Sequence, residues 1–312
     1  MNPIEHVLLI LHCLKHFELH AGKQAIDLAD GQRWENITGS LVTFNFNFHM
    51  ALTDVETILD SFRTLFWLEK SWFVAYENDR LFSVPRFANT HCNGNFQRPI
   101  HSTVLDDKIF LDNITTLGLS HPLVDMKHYF SHVRILKIND IIKLESLSSI
   151  IDVNQVKHLM LSFPIIQPLP NATHLLNMHS LRELSIMTNL FQLIEQLKGM
   201  QFENIRTLDM ISTLIFDDRY PVEQLCSIFP FVERLHVKSI HKATMIRMIS
   251  GFTHLSNASF CLNSLSKTDQ TDWQVKSERA LYGARRLTNF CYTCRYNNSY
   301  LHVWIGEQVS QL

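Results

Sequence analysis

The stretch VERLHV at residues 232–237 decides the reading of the chain, because the same phrase, apolar residues at its first, fourth and sixth letters, recurs in other words. Its rungs are ITTLGL (114–119), VRILKI (133–138), VKHLML (156–161), LRELSI (181–186), IRTLDM (205–210), VERLHV and LSNASF (255–260). Their fourth letters fall at 117, 136, 159, 184, 208, 235 and 258, giving steps of 19, 23, 25, 24, 27 and 23 residues. A loose period of that size marks stacked structural units.

Within each rung the last three letters alternate apolar, variable, apolar, which predicts a short strand with one buried face. The spacers carry helical signals. Leu190, Leu193, Ile194 and Leu197 fall at helical spacing before Gly199, Pro221 opens a stripe of Val222, Leu225, Cys226 and Phe229, and Met245, Ile246, Ile249 and Phe252 form a third. One strand and one helix per unit predicts an α/β leucine-rich repeat solenoid, curved, with parallel strands on the concave side and helices on the convex side.

The first half repeats the phrase faintly, in LKHFEL (14–19) and LVTFNF (41–46). Thr53 and Glu56 predict a capping box, followed by one helix with Val55, Ile58, Leu59, Phe62, Leu65 and Phe66 in a single stripe. WFVAYENDRLFSVP (72–85) predicts two strands around an Asn78-Asp79 turn, and Asn89 to Pro99 a loop. At the far end LTNFCY (287–292) fits the phrase again, NSLSKTDQTD reads as an exposed loop, and LHVWI (301–305) as a closing strand. The expected organisation is one domain over 1–312, with degenerate repeats in 1–110, a hairpin insertion at 72–85, the clearest repeats in 111–262, and a last repeat with its closing strand in 263–312. The apolar opening stretch (Ile4, Val7, Leu8, Leu11) is either the cap of the array or the start of a repeat whose covering segment is absent from the sequence.

With these rungs laid out, the chain resembles the irregular leucine-rich repeat proteins of the F-box and F-box-like superfamily, and FWLEKSWFVAYENDRLFSVP (66–85) is similar to an element of one large group of them. The resemblance implies a curved solenoid whose concave face receives a substrate protein. Two departures limit it. The asparagine expected after each strand is present only at Asn189 and Asn263, with Pro122, Ile141, Pro164, Thr213 and Ile240 in the equivalent places. No F-box is found in these residues, so a Skp adaptor and cullin are implied as partners only if that segment lies outside the sequence.

Bulk properties restrict function. The 312 residues are 46% apolar and 19% charged, enough for a large core, and 28 basic against 30 acidic residues leave a formal charge of −2, so no field of one sign holds nucleic acid or an anionic membrane. Six cysteines lack the density and regular spacing of a disulfide framework, which favours a reducing compartment, cytoplasmic or nuclear. The first residues lack the basic start and cleavage site of a signal peptide, and no apolar run is long enough to span a bilayer.

Catalytic motifs are missing. The nine glycines form no phosphate-binding loop, and neither G-x-S-x-G nor H-E-x-x-H occurs. CYTC (291–294) lacks further ligands for zinc, and His12, His16 and His20, or His128 and His132, lack a partner set, so no metal or cofactor is expected. The aromatic cluster Phe66, Trp67, Trp72, Phe73 and Tyr76 has only Lys70 and Arg80 beside it, too little charge for a base-stacking platform, and reads as core.

The variable letters of the rungs remain. If the apolar letters face the core, the concave face carries Thr116, Gly118, Ile135, Lys137, His158, Met160, Glu183, Ser185, Thr207, Asp209, Arg234, His236, Asn257 and Ser259. Lys137 through Asn257 form the expected protein-binding surface. The expected function is non-enzymatic protein recognition, as in the substrate-binding part of an F-box-type ubiquitin ligase adaptor. The alternatives are a metal- or thiol-dependent protein using the C-terminal cysteines, and an RNA-binding repeat protein.

Overall fold

The structure is a computed structural model that describes residues 3–11, 13–22, 26–94, 96–120, 128–140, 144–162, 175, 177–187, 190–210, 221–262, 291–297 and 300–306. The chain divides into two compact units, Met1–Thr115 and Thr116–Leu312.

In the first unit the strands are β1 (His16–Ala21), β2 (Thr43–His49), β3 (Phe73–Glu77), β4 (Arg80–Val84), the short β5 (His91–Asn93) and β6 (His101–Ser102). A five-stranded sheet runs β1-β2-β4-β3-β6. β1 and β2 are parallel, and the two faint rungs align so that Phe17 meets Phe44 and Leu19 meets Phe46. The hairpin β3–β4 turns through Asn78 and Asp79, both at positive φ (53° and 56°), the conformation a tight hairpin asks for and asparagine and aspartate tolerate. Period two in TFNFNFH buries Phe44, Phe46 and Phe48, which meet Trp34, Phe62 and Trp67 in an aromatic core. Each such ring contributes about 1.5–3 kcal/mol of burial. Trp67 and Trp72 are buried there, as the sequence predicts, and Trp67 satisfies its indole N–H on the Gly31 carbonyl at 3.1 Å.

The helices of this unit are α1 (Pro3–Ile10), α2 (Gly31–Thr38), α3 (Val55–Asp60), α4 (Leu65–Glu69) and α5 (Lys108–Leu111). The expected capping box and single long helix are corrected. Asp54, not Thr53, is the N-cap, its carboxylate accepting from the Thr57 amide at 3.2 Å. Glu56 faces Arg63 and His101, and the stripe breaks into two helices, leaving Leu65 exposed.

The second unit holds β7 (Thr116–Leu119), β8 (Ile135–Ile138), β9 (His158–Leu161), β10 (Glu183–Ile186), β11 (Thr207–Met210), β12 (Arg234–Ile240), β13 (Asn257–Leu262), β14 (Cys291–Asn297) and β15 (Tyr300–Gly306), with α6 (Leu190–Gln196), α7 (Val222–Ile228) and α8 (Lys242–Gly251). Every strand from β7 to β13 starts at the third letter of its rung. β7 to β13 pair in parallel in chain order, and the fourth letters line up from Leu117 through Leu136, Leu159, Leu184, Leu208 and Leu235 to Ala258. All first, fourth and sixth letters are buried.

The expected solenoid is not what these elements form. The chain is mixed α/β, with two mixed sheets in place of one all-parallel curved layer. The hairpin β3–β4 is antiparallel, and β15 runs antiparallel to both β13 and β14. Only eight α-helices occur among the described residues, the longest ten residues, and the described residues between β8 and β9 hold no α-helix, only the 3-10 turns Leu144–Ser149 and Val153–Gln155. The physical reason is that the phrase specifies a strand and its register but neither the segment between strands nor the direction of the strands that carry no phrase. NSLSKTDQTD and most of LTNFCY lie outside the described residues.

Candidate functional site

Alternation along β8 to β13 places the variable letters on the face opposite the buried apolar ones, and register brings them into two rows. One row runs Lys137, Met160, Ser185, Asp209, His236, Ser259; the other runs Ile135, His158, Glu183, Thr207, Arg234, Asn257. Thr116 and Gly118 align with Ile135 and Lys137 at one end. All the residues expected on this surface therefore share one face. They are not uniformly open to solvent: Arg234 is exposed, most are half-buried, and Thr116, Gly118 and Ser185 are buried.

Three residues were missed by sequence reading. Antiparallel β15 continues the rows with His302 opposite Ser259 and Trp304 opposite Asn257, and sets Tyr300 opposite Cys261. The signal was available in the alternation of LHVWI, but nothing in it says which strand it pairs with.

At the centre of the face His158 Nε2 lies 2.8 Å from Ser185 Oγ, and Asp209 stands in register with Ser185 on the next strand. One carboxylate oxygen of Asp209, Oδ1, is buried with no hydrogen-bond partner, and burial pushes the Asp209 carboxyl up, opposed by the neighbouring His236 and His158. Burial likewise holds His158 below its ordinary range, against the pull of Glu183 and Asp209. Glu183 lies 3.7 Å from His158 Nδ1 and 3.6 Å from the Arg234 guanidinium.

Towards β15 the face is aromatic. His236 stacks on Tyr300 at 5.4 Å, Tyr300 on His302 at 6.2 Å, and His302 on Trp304 at 6.0 Å. His302 Nδ1 is 2.7 Å from Ser259 Oγ, and burial, then His236 and Arg295, hold the imidazole below its ordinary range.

A serine beside an imidazole invites comparison with an activated nucleophile. Here Ser185 is 3% exposed, which closes its hydroxyl to a substrate and leaves the pair as a polar contact within the sheet. Among the described residues no group of three or more His, Cys, Asp or Glu side chains is placed to hold a metal ion. His16 and His20 lie on a strand, outside any helical ligand pair, and the Cys291 side chain and His12 fall outside what is described. Among the described residues, no helix is long and apolar enough to cross a membrane. No protein-family model, curated protein or solved structure matches this chain.

Proposed function

We propose that the chain is a non-enzymatic protein-recognition module that binds a protein ligand on the mixed polar and aromatic face of β8 to β13 and β15. The observation that carries this reading is the fixed register of that face. A hydrogen-bonded sheet holds acidic, basic, hydroxyl and aromatic groups at set spacings, which suits recognition of a chemically varied surface. Catalysis would need a group open to substrate, and Ser185 is buried. The substrate-recognition role in an F-box-type ubiquitin ligase adaptor rests on the sequence resemblance alone. The spacing of the cysteines supports a reducing compartment, cytoplasmic or nuclear.

The test is a charge swap. Glu183→Arg with Arg234→Glu keeps both residues exposed enough to fold while reversing the order of charge along one row. A partner recovered by affinity purification and rebuilt from purified components should bind wild type and lose at least about tenfold in affinity against the swap. Equal binding by both proteins, with equal melting temperatures, would sink the proposal.

A further inference from the structure

The backbone pairing of the second unit extends one residue ahead of each strand. The Lys157 amide donates to the Arg134 carbonyl at 2.8 Å, Arg182 to Lys157 at 2.9 Å, Arg206 to Arg182 at 2.8 Å, and Glu233 to Arg206 at 2.9 Å. The second letters of four consecutive rungs are therefore aligned, and all four are basic: Arg134, Lys157, Arg182, Arg206. Adjacent strands lie about 4.8 Å apart, so the four α-carbons span about 14 Å in a line across the sheet.

Arg134, Lys157 and Arg182 are exposed. Arg182 is steered by backbone carbonyls, its Nη1 donating to Asn204 at 3.3 Å and His179 at 3.4 Å, which orients the guanidinium without neutralising it. At the far end the charge is cancelled. Arg206 lies over the Phe231 ring at 5.3 Å and 3.3 Å from the Glu233 carboxylate, the acidic second letter that follows it. The excess positive charge thus belongs to the first three rungs.

We infer that this ladder of cations docks a short acidic segment of a partner protein, laid across the strands from Arg134 to Arg182. An extended chain advances about 3.4 Å per residue, so same-side carboxylates repeat at about 7 Å, and two of them fall within the roughly 10 Å from Arg134 to Arg182. Long lysine and arginine side chains absorb the mismatch with the strand spacing. A short segment spans the three exposed cations, whereas a long phosphate backbone would run on past them to the Glu233 carboxylate, in a chain whose formal charge is −2. The ladder lies one residue outside the rows of the recognition face, and it rests on the protein-recognition reading only for the class of partner.

The experiment is fluorescence anisotropy of the full chain with a fluorescein-labelled peptide of alternating glutamate and serine, with a lysine–serine peptide and an oligouridine RNA as further probes. The acidic peptide should bind with an affinity that falls as salt rises, and the lysine peptide should not bind. Arg134→Glu with Lys157→Glu should weaken binding by at least about tenfold, the milder Arg134→Gln with Lys157→Gln by less, and Lys108→Glu in the first unit should leave it unchanged. The glutamine pair keeps the test open if the glutamate pair fails to fold. Absence of acidic-peptide binding, indifference to both pairs, or tighter binding of the RNA would overturn the inference. Failure here with a protein partner still lost in the Glu183/Arg234 swap would remove the ladder and leave the recognition face standing.

Discussion

Ser185 Oγ lies 2.8 Å from His158 Nε2 and is buried, on the strand between those of His158 and Asp209. Ser185→Ala leaves the imidazole without that partner, and removing one member of a buried hydrogen-bonded pair costs about 1–3 kcal/mol. Urea denaturation should show that loss. A fluorophosphonate probe should not label Ser185 in wild type, since its hydroxyl is buried.

The same network sets a pH dependence. His158 is held below its ordinary value of 6.5 in the fold, chiefly by burial, so the unfolded chain binds the proton more readily. The stability this group contributes is present above pH 6.5 and is lost as pH falls through the folded value. His302, lowered first by burial, acts in the same direction. Asp209, raised first by burial, has the opposite sign: its contribution is present below 3.8 and is lost as pH rises through the folded value. Melting temperatures across mildly acid pH should fall less steeply in His158→Gln than in wild type, and an unchanged slope would show that the imidazole is not buried.

Two glycines separate tight backbone approach from slack. A β-carbon at Gly31 would stand 2.3 Å from the Ser61 carbonyl oxygen and 2.9 Å from the Phe62 ring, on backbone that is also tied to Gly31 by the Ser61 hydroxyl at 2.8 Å. Gly31→Ala should cost about 1–3 kcal/mol by overpacking. At Gly251 the obstacle is the Cys226 sulfur at 2.7 Å, the end of a side chain that can turn. Gly251→Ala should therefore change stability by less, with helix propensity in its favour, and chemical denaturation of the two variants side by side checks the order.

The rungs were the legible part of this chain because a strand needs only period two, and six letters suffice to carry it. That gave the register of Leu117 to Ala258 and placed the variable letters on one face. β15 shows where the information stops: its alternation was visible, but an antiparallel return depends on contacts made by residues distant in sequence. The region of α3 and α4 failed differently. Its apolar spacing was helical, but Ser61, whose hydroxyl donates to the Ile58 carbonyl at 2.6 Å, lies where the helix ends, and Phe62 goes to the aromatic core. The Ser185 contacts could not be read at all, since a hydrogen bond between rungs needs the register first and the rotamers second.

Cysteine chemistry gives the last expectation. Cys226 lies half-buried on α7 with its sulfur towards Gly251 of α8, and burial, with Glu223 next in effect, pushes its thiol up to about 12. Near pH 8 the thiolate, which is the reactive form, is then only about one part in ten thousand. Cys92 is raised in the same direction by burial, and its sulfur donates to the Gly94 carbonyl at 3.4 Å. Cys13 is exposed, so access does not protect it. Alkylation by iodoacetamide, mapped by peptide mass spectrometry, should modify Cys13 first, Cys92 more slowly, and Cys226 only when the second unit unfolds. Early labelling of Cys226 in the folded chain would mean that α7 and α8 open on the timescale of the reaction, and would undo the reading of Cys226 as an inert thiol.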